Sequence, residues 1–130
     1  MQEVSKKKVE VWGRTFEIEV IFSCYEGEEI DDVQIRAYED FMANWKDNMG
    51  AAYRGFEEYC AEEYSEEIGG KKFENIFKFL IPKLLLIDKA WDNSKTVGFD
   101  CHFKLDLENN LVAKFVDGKL IEVGGEQIIG

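Results

Sequence analysis

The chain opens on a two-residue alternation. Val9 and Val11 alternate with Glu10 and Trp12, and Phe16, Ile18, Val20 and Phe22 alternate with Glu17, Glu19, Ile21 and Ser23. That period turns one apolar face toward a core, and Gly13-Arg14 supplies a turn, so residues 9–23 predict a β-hairpin. After Cys24 the period lengthens. Ile30, Val33, Ala37, Phe41 and Trp45 recur three and four residues apart, the spacing of one helical stripe. Asp31 fits the N-cap, and Gln34 three places on completes a capping box. A break is expected at Asn48 to Gly50. A second helix follows, with Ala52, Phe56, Tyr59, Cys60 and Tyr64 turned inward and Gly69-Gly70 as its stop. Two antiparallel helices joined by a short turn are the expected arrangement.

Over residues 71–81, Phe73, Ile76, Phe77 and Leu80 keep helical spacing, which predicts a short third helix. Pro82 ends it. Leu84-Leu85-Leu86-Ile87 then reads as a buried strand, with Pro82 at its start because proline has no N–H to give a ladder. The C-terminal third returns to alternation. Val97, Phe99, Cys101, Phe103 and Leu105 point one way, and Gly98, Asp100, His102 and Lys104 the other. A turn around Glu108-Asn109-Asn110 leads to Leu111, Ala113 and Phe115, and Asp117-Gly118 is a strong hairpin signal before Leu120-Ile121-Glu122-Val123. Strands, then helices, then strands, with no repeated βαβ unit, predict one α+β domain over residues 1–130. Its largely antiparallel sheet would carry two to three helices on one face.

Size and charge narrow the function. At 130 residues and 45% hydrophobic, the chain is long enough to bury a core, and ten phenylalanines argue against a disordered acidic tail. The segment from Glu26 to Glu67 holds 14 acidic residues against Arg36, Lys46 and Arg54, which accounts for the whole net charge of −11. Nucleic acid and anionic membranes would repel such a surface. Lys6-Lys7-Lys8 is the one basic run, read as part of a flexible end. No apolar stretch approaches the roughly 20 residues that cross a bilayer, and Met1-Gln2-Glu3-Val4 lacks a signal's apolar core. Cys24, Cys60 and Cys101 are odd in number and far apart, which predicts buried thiols in a reducing cytoplasm.

Signs of an enzyme are sparse. No phosphate-cradling glycine loop or nucleophile elbow is present, and Gly124-Gly125 precedes too few residues to open a helix. No cofactor or metal site is expected. His102 beside Asp100 is the candidate general base, a carboxylate being able to hold an imidazole's tautomer. A surface neighbour pair is the plainer reading. Asp106-Leu107-Glu108-Asn109-Asn110 offers oxygen ligands without the calcium-loop pattern, so a polar turn is expected. Carboxylates from Glu26 to Asp32 place negative charge at a helix N-terminus, where the macrodipole favours it. On the second helix, Glu58, Glu62 and Glu66 stand four apart with Glu57, Glu63 and Glu67 nearby, and no base follows Arg54 to offset them. They form either a solvated face or a row of carboxylates spaced for a partner's lysines and arginines, with Tyr59 and Tyr64 as aromatic anchors.

The run from Phe99-Asp100-Cys101 through Asp106-Leu107-Glu108 to Leu111-Val112-Ala113-Lys114-Phe115 resembles a signature of small bacterial domains. In those, a Phe-Asp-Cys strand leads to a Trp-Asp-x-Glu-His-Gly turn. The ending from Asp117-Gly118-Lys119 to Ile128-Ile129 is similar to theirs, as are Trp12-Gly13-Arg14 and Tyr25-Glu26-Gly27-Glu28. Leu105 stands where that pattern has tryptophan, and Asn109-Asn110 where it has His-Gly. These domains resemble members of polymorphic-toxin neighbourhoods and contact-dependent inhibition systems, where small acidic proteins serve as immunity partners. The resemblance implies a cytoplasmic, non-enzymatic binding protein that neutralises a cognate basic toxin, and that is a monomer or weak dimer alone. Expected contacts are Glu58, Glu62, Glu66 and Glu63, with Tyr59 and Asp40 at the margin. The alternatives are a small enzyme or ligand-binding domain using Asp100, His102 and the Asp106–Glu108 turn, or a structural assembly module built on the helix pair.

Overall fold

The opening alternation folds as two antiparallel strands, β1 (Gln2–Val11) and β2 (Arg14–Ser23), in a computed structural model that describes residues 2–24, 27–89 and 92–129. Tyr25 and Glu26, which belong to the acidic run and to the resemblance, lie outside the described residues. The hairpin turn is Trp12-Gly13, one residue earlier than Gly13-Arg14. Both residues have positive φ, 50° and 87°, as a two-residue turn matched to strand twist requires. Tryptophan is strained there, and tertiary contacts hold it. Its Nε1 donates to the Met49 carbonyl at 2.8 Å, and its ring stands edge-on to Tyr53, Phe56 and Phe99. Lys6-Lys7-Lys8 is not a loose end but part of β1, at one edge of the sheet. Lysines there discourage pairing by another chain.

Helix α1 (Asp32–Ala43) starts on the expected capping box. Asp31 Oδ1 accepts from the Gln34 backbone N–H at 2.9 Å, and Gln34 Oε1 accepts from the Asp31 N–H at 3.2 Å. Gln34 is also only 1% exposed, and its Nε2 donates to the carbonyls of Ser23 and Ile87. One amide therefore closes the helix start and ties the C-terminal ends of two strands. The break expected at Asn48 to Gly50 lies instead at Asn44, and α2 runs from Trp45 to Glu63. Asn48, a helix breaker by composition, donates its side-chain N–H to the Phe41 carbonyl at 3.0 Å, satisfying a group in the last turn of α1. With a single residue between them, α1 and α2 do not form an antiparallel pair. They follow one another across the sheet, α1 over the strands Leu80–Lys89 and Lys95–Phe103 and α2 over the strands Leu111–Val116 and Lys119–Gly124. A one-turn helix, α3 (Ser65–Ile68), follows, and Gly69 ends it in the left-handed conformation (φ 85°).

Only a 3-10 turn, Ile76–Lys78, replaces the expected third helix, and β3 (Leu80–Lys89) begins before Pro82 rather than at it. Pro82 fits because β2 pairs with β3 only over Leu84–Ile87, and a bulge separates Pro82 from Leu84 on the other side. On the β2 side no ladder needs its missing N–H, and on the other it stands opposite Cys101. β4 (Lys95–Phe103), β5 (Leu111–Val116) and β6 (Lys119–Gly124) complete the sheet, with Leu105 beyond the end of its strand. The β5–β6 turn is Asp117-Gly118 as expected, both at positive φ.

The six strands lie in sequence order, β1 to β6, and only the β2–β3 pair is parallel. Phe41 and Phe56 from the helices meet Phe99 and Phe115 from the sheet in one core. This is the α+β architecture the alternation predicts. The sheet's other face is covered in part by the C-terminal residues. Ile129 packs on Gly98, where a Cβ would lie 2.4 Å from Ile129 Cδ1. Asp100, two residues along on the same face, is buried as well.

Candidate functional site

The apolar stripe of α2 fixes where its carboxylates go. Ala52, Phe56 and Cys60 are fully buried against the sheet, so Glu58 and Glu62, which fall off that stripe, are exposed along the side nearest β6. Gly55 allows the close approach, since a Cβ there would come within 2.7 Å of Leu120 Cδ2. Between α2 and β6 runs an open groove of about 300 Å³, lined by Glu58, Tyr59 and Glu62 on one side and by Leu120 to Val123 on the other. Glu122 adds a third carboxylate, and Ile121 stands 56% exposed at the rim. Tyr59 is half-buried at the floor. Burial, then the neighbouring Tyr64 and Glu63, raise its phenol pKa, so the hydroxyl stays a neutral hydrogen-bonding group at pH 7.

The remaining expected contacts separate from this groove. Glu63 is exposed at the last residue of α2. Tyr64 then leaves helical geometry (φ −140°), so Glu66, on α3, does not continue the Glu58–Glu62 row. Glu57 faces inward enough for its Oε2 to accept from the Phe73 N–H at 2.9 Å. Asp40 is far along the chain on α1, 2.6 Å from Lys95 Nζ.

The ion pairs sharpen the contrast. Among the described residues, Lys6 pairs with Glu17, Lys89 with Glu28 and Asp31, and Lys95 with Asp40. None of these pairs involves Glu58, Glu62, Glu63 or Glu66. Arg54, one turn before Glu58, points the other way and comes near Gly50.

The second candidate centre is arranged differently. Asp100 and His102 lie on the same face of β4, but Asp100 is 7% exposed and its Oδ1 accepts from Asn110 Nδ2 at 2.8 Å, while His102 is exposed. Burial raises the Asp100 pKa from 3.8 to about 6, and nearby Glu126 adds to the effect; the Asn110 hydrogen bond and Lys83 oppose it. Asp106 is used within its own turn, accepting from the Glu108 N–H and from Asn109 Nδ2. That is the polar turn expected of this loop. Burial also pushes the Cys60 thiol up to about 12 and Cys101 well above its ordinary value. Cys24 is only partly buried, against the expectation, with its Sγ 3.7 Å from Gln34 Oε1. Among the described residues no cluster of three histidine, cysteine or acidic side chains could hold a metal ion. No helix among them is long and apolar enough to cross a membrane.

Two features escape sequence reasoning. One is the groove itself, made by β6 packing beside α2; Gly55 inside a helical stripe was its sole signal. The other is a cavity at the α1–α2 junction, around Asn48. A polar residue on the inward side of a helix signals such a place, but it read as a break.

No curated protein and no solved structure shows a significant match to the chain. The model of one family, described as a domain of unknown function (DUF6985), matches residues 2–129, nearly the whole α+β domain. The chain therefore belongs to the DUF6985 family.

Proposed function

We propose that this protein is an immunity-type binding protein that neutralises a cognate basic toxin in the cytoplasm without catalysis, and that is a monomer or weak dimer alone. The observation that carries this reading is the set of carboxylates beside the α2–β6 groove that have no cationic partner among the described residues. Elsewhere the protein uses its own lysines against its acids, as at Asp40 and Glu28. At Glu58 and Glu62 it leaves like charges one helical turn apart, an arrangement that costs a few tenths of a kcal/mol per pair. A partner's lysines and arginines would relieve that repulsion on docking. Ile121 and Tyr59 provide apolar and aromatic contact between the charges, the mixture found at the centre of interfaces. Covering the basic surface with which a nucleic-acid-degrading toxin holds phosphates would block its substrate.

Glu58, Glu62, Tyr59 and Glu122 are the core of the contact, with Glu63 and Glu66 extending it past the end of α2. The test is affinity for the C-terminal domain of a secreted protein encoded in the neighbouring reading frame. Glu58→Lys with Glu62→Lys should weaken binding on the order of a hundredfold or more, as loss of close charge pairs does. Unchanged affinity removes the groove from the account.

A further inference from the structure

At the opposite end of the helical layer lies a larger cavity, of about 440 Å³, within the range of small-ligand sites. Ala37 and Phe41 of α1, Asn48 of α2, Val97 of β4 and Phe115 of β5 form its floor, and Asp40, Lys95 and Asp117 its rim. Three observations give the cavity a chemistry. The floor is apolar and aromatic, with Phe41 and Phe115 edge to face at 4.9 Å. Asn48 is only 6% exposed and spends its Nδ2 on the Phe41 carbonyl, yet no donor among the described residues reaches its Oδ1. With Nδ2 spent on Phe41, Oδ1 is the atom of this cavity-lining amide left to accept. The rim holds two carboxylates against one ammonium, and Lys95 Nζ is committed to Asp40 at 2.6 Å.

We propose that this cavity is a binding site for a guanidinium group carried on an apolar stem. The stem lies over Phe41, Phe115 and Val97. The planar cation donates to Asn48 Oδ1 and to Asp117 Oδ2; Asp117 Oδ1 already accepts from the Lys95 backbone N–H at 3.0 Å, but its charge is left in excess once Asp40 and Lys95 have paired. Guanidinium suits the place because it is weakly hydrated, tolerates aromatic neighbours and donates in a fork. The same chemistry could come from a free alkylguanidine or from an arginine side chain of another protein. The site does not depend on the acidic groove, since it shares no residue with it.

The test is a titration of the ¹⁵N-labelled protein with agmatine and, separately, with N-acetyl-arginine amide, each to roughly 20 mM, enough to detect a millimolar Kd. Butylurea, which is neutral and similar in shape, serves as comparator. The expected result is saturable shifts at residues 37–48, 95–97 and 115–118 with a guanidinium probe and none with the urea. Agmatine alone binding identifies a free ligand as the source, and equal binding of the blocked arginine identifies a protein side chain. Asp117→Asn keeps the turn and should weaken binding about tenfold, and Ala37→Met should abolish it by filling the cavity while the remaining spectrum stays folded. Shifts that are equal with butylurea, lie elsewhere, persist in Ala37→Met, or are absent with both cations would overturn the proposal.

Discussion

Replacing Asp100 with asparagine should stabilise the protein, and by more as pH rises. Asp100 is 7% exposed, and burial raises its carboxyl pKa from 3.8 to about 6. A carboxylate with a raised folded-state pKa holds its proton longer in the folded protein than in the unfolded chain. Stability therefore falls as pH climbs from about 4 through 6 and is level above that. The full cost of ionising it in place is roughly 3 kcal/mol. Asparagine removes that cost, and its Oδ1 can still accept from Asn110 Nδ2, the bond observed at 2.8 Å. By pH 5 about half of the cost is already present, so the advantage of Asp100→Asn should grow by ~1.4 kcal/mol between pH 5 and pH 8. Urea unfolding of both proteins at several pH values reads this directly, because every other carboxylate cancels in the difference. An advantage that is flat with pH, or a deficit that deepens above pH 6, would refute the burial argument and show the Asp100 charge to be favourably held.

Other expectations follow from single contacts. Gln34→Leu strands the carbonyls of Ser23 and Ile87 and should cost roughly 2–4 kcal/mol in chemical unfolding; a cost under 1 kcal/mol would mean that water replaces the amide. Gly98→Ala drives a Cβ into Ile129 and should destabilise by about 1–3 kcal/mol. Adding Ile129→Ala should recover part of that loss, and simple additivity in the double mutant would sever the two sites. Iodoacetamide at pH 8 should modify Cys24 alone in the folded protein, because Cys60 and Cys101 are fully buried; mass spectrometry should find three adducts only after denaturation.

Local chemistry was the legible part of this fold. The strand alternations, the Asp31–Gln34 capping box and the Asp117-Gly118 turn each state their structure within a few residues, and each forms as read. What escaped depends on residues distant in sequence. Trp12 occupies a left-handed turn position because Met49, Tyr53 and Phe56 hold its ring. The helical break falls at Asn44 because Asn48, which looks like a breaker, is buried and bonded to Phe41. Pro82 sits inside β3 because β2 does not reach that position, and on the β4 side it stands opposite Cys101 just before a bulge. The candidate site was half legible: the spacing of Glu58 and Glu62 puts both on one side of α2. The helical interruption at Tyr64, which parts them from Glu66, and the pairing of Asp40 with Lys95 have no sequence signal.

A cationic protein docking on the carboxylates beside the α2–β6 groove should be steered there by charge. The most direct test of that docking is the association rate with the neighbouring frame's toxin domain, measured by stopped flow from about 50 to 300 mM salt, across which the Debye length shortens from roughly 14 to 6 Å. The rate should fall of the order of tenfold for the native protein and depend much less on salt for Glu58→Lys with Glu62→Lys. A rate indifferent to salt, or the same slope in both proteins, would contradict docking at this groove.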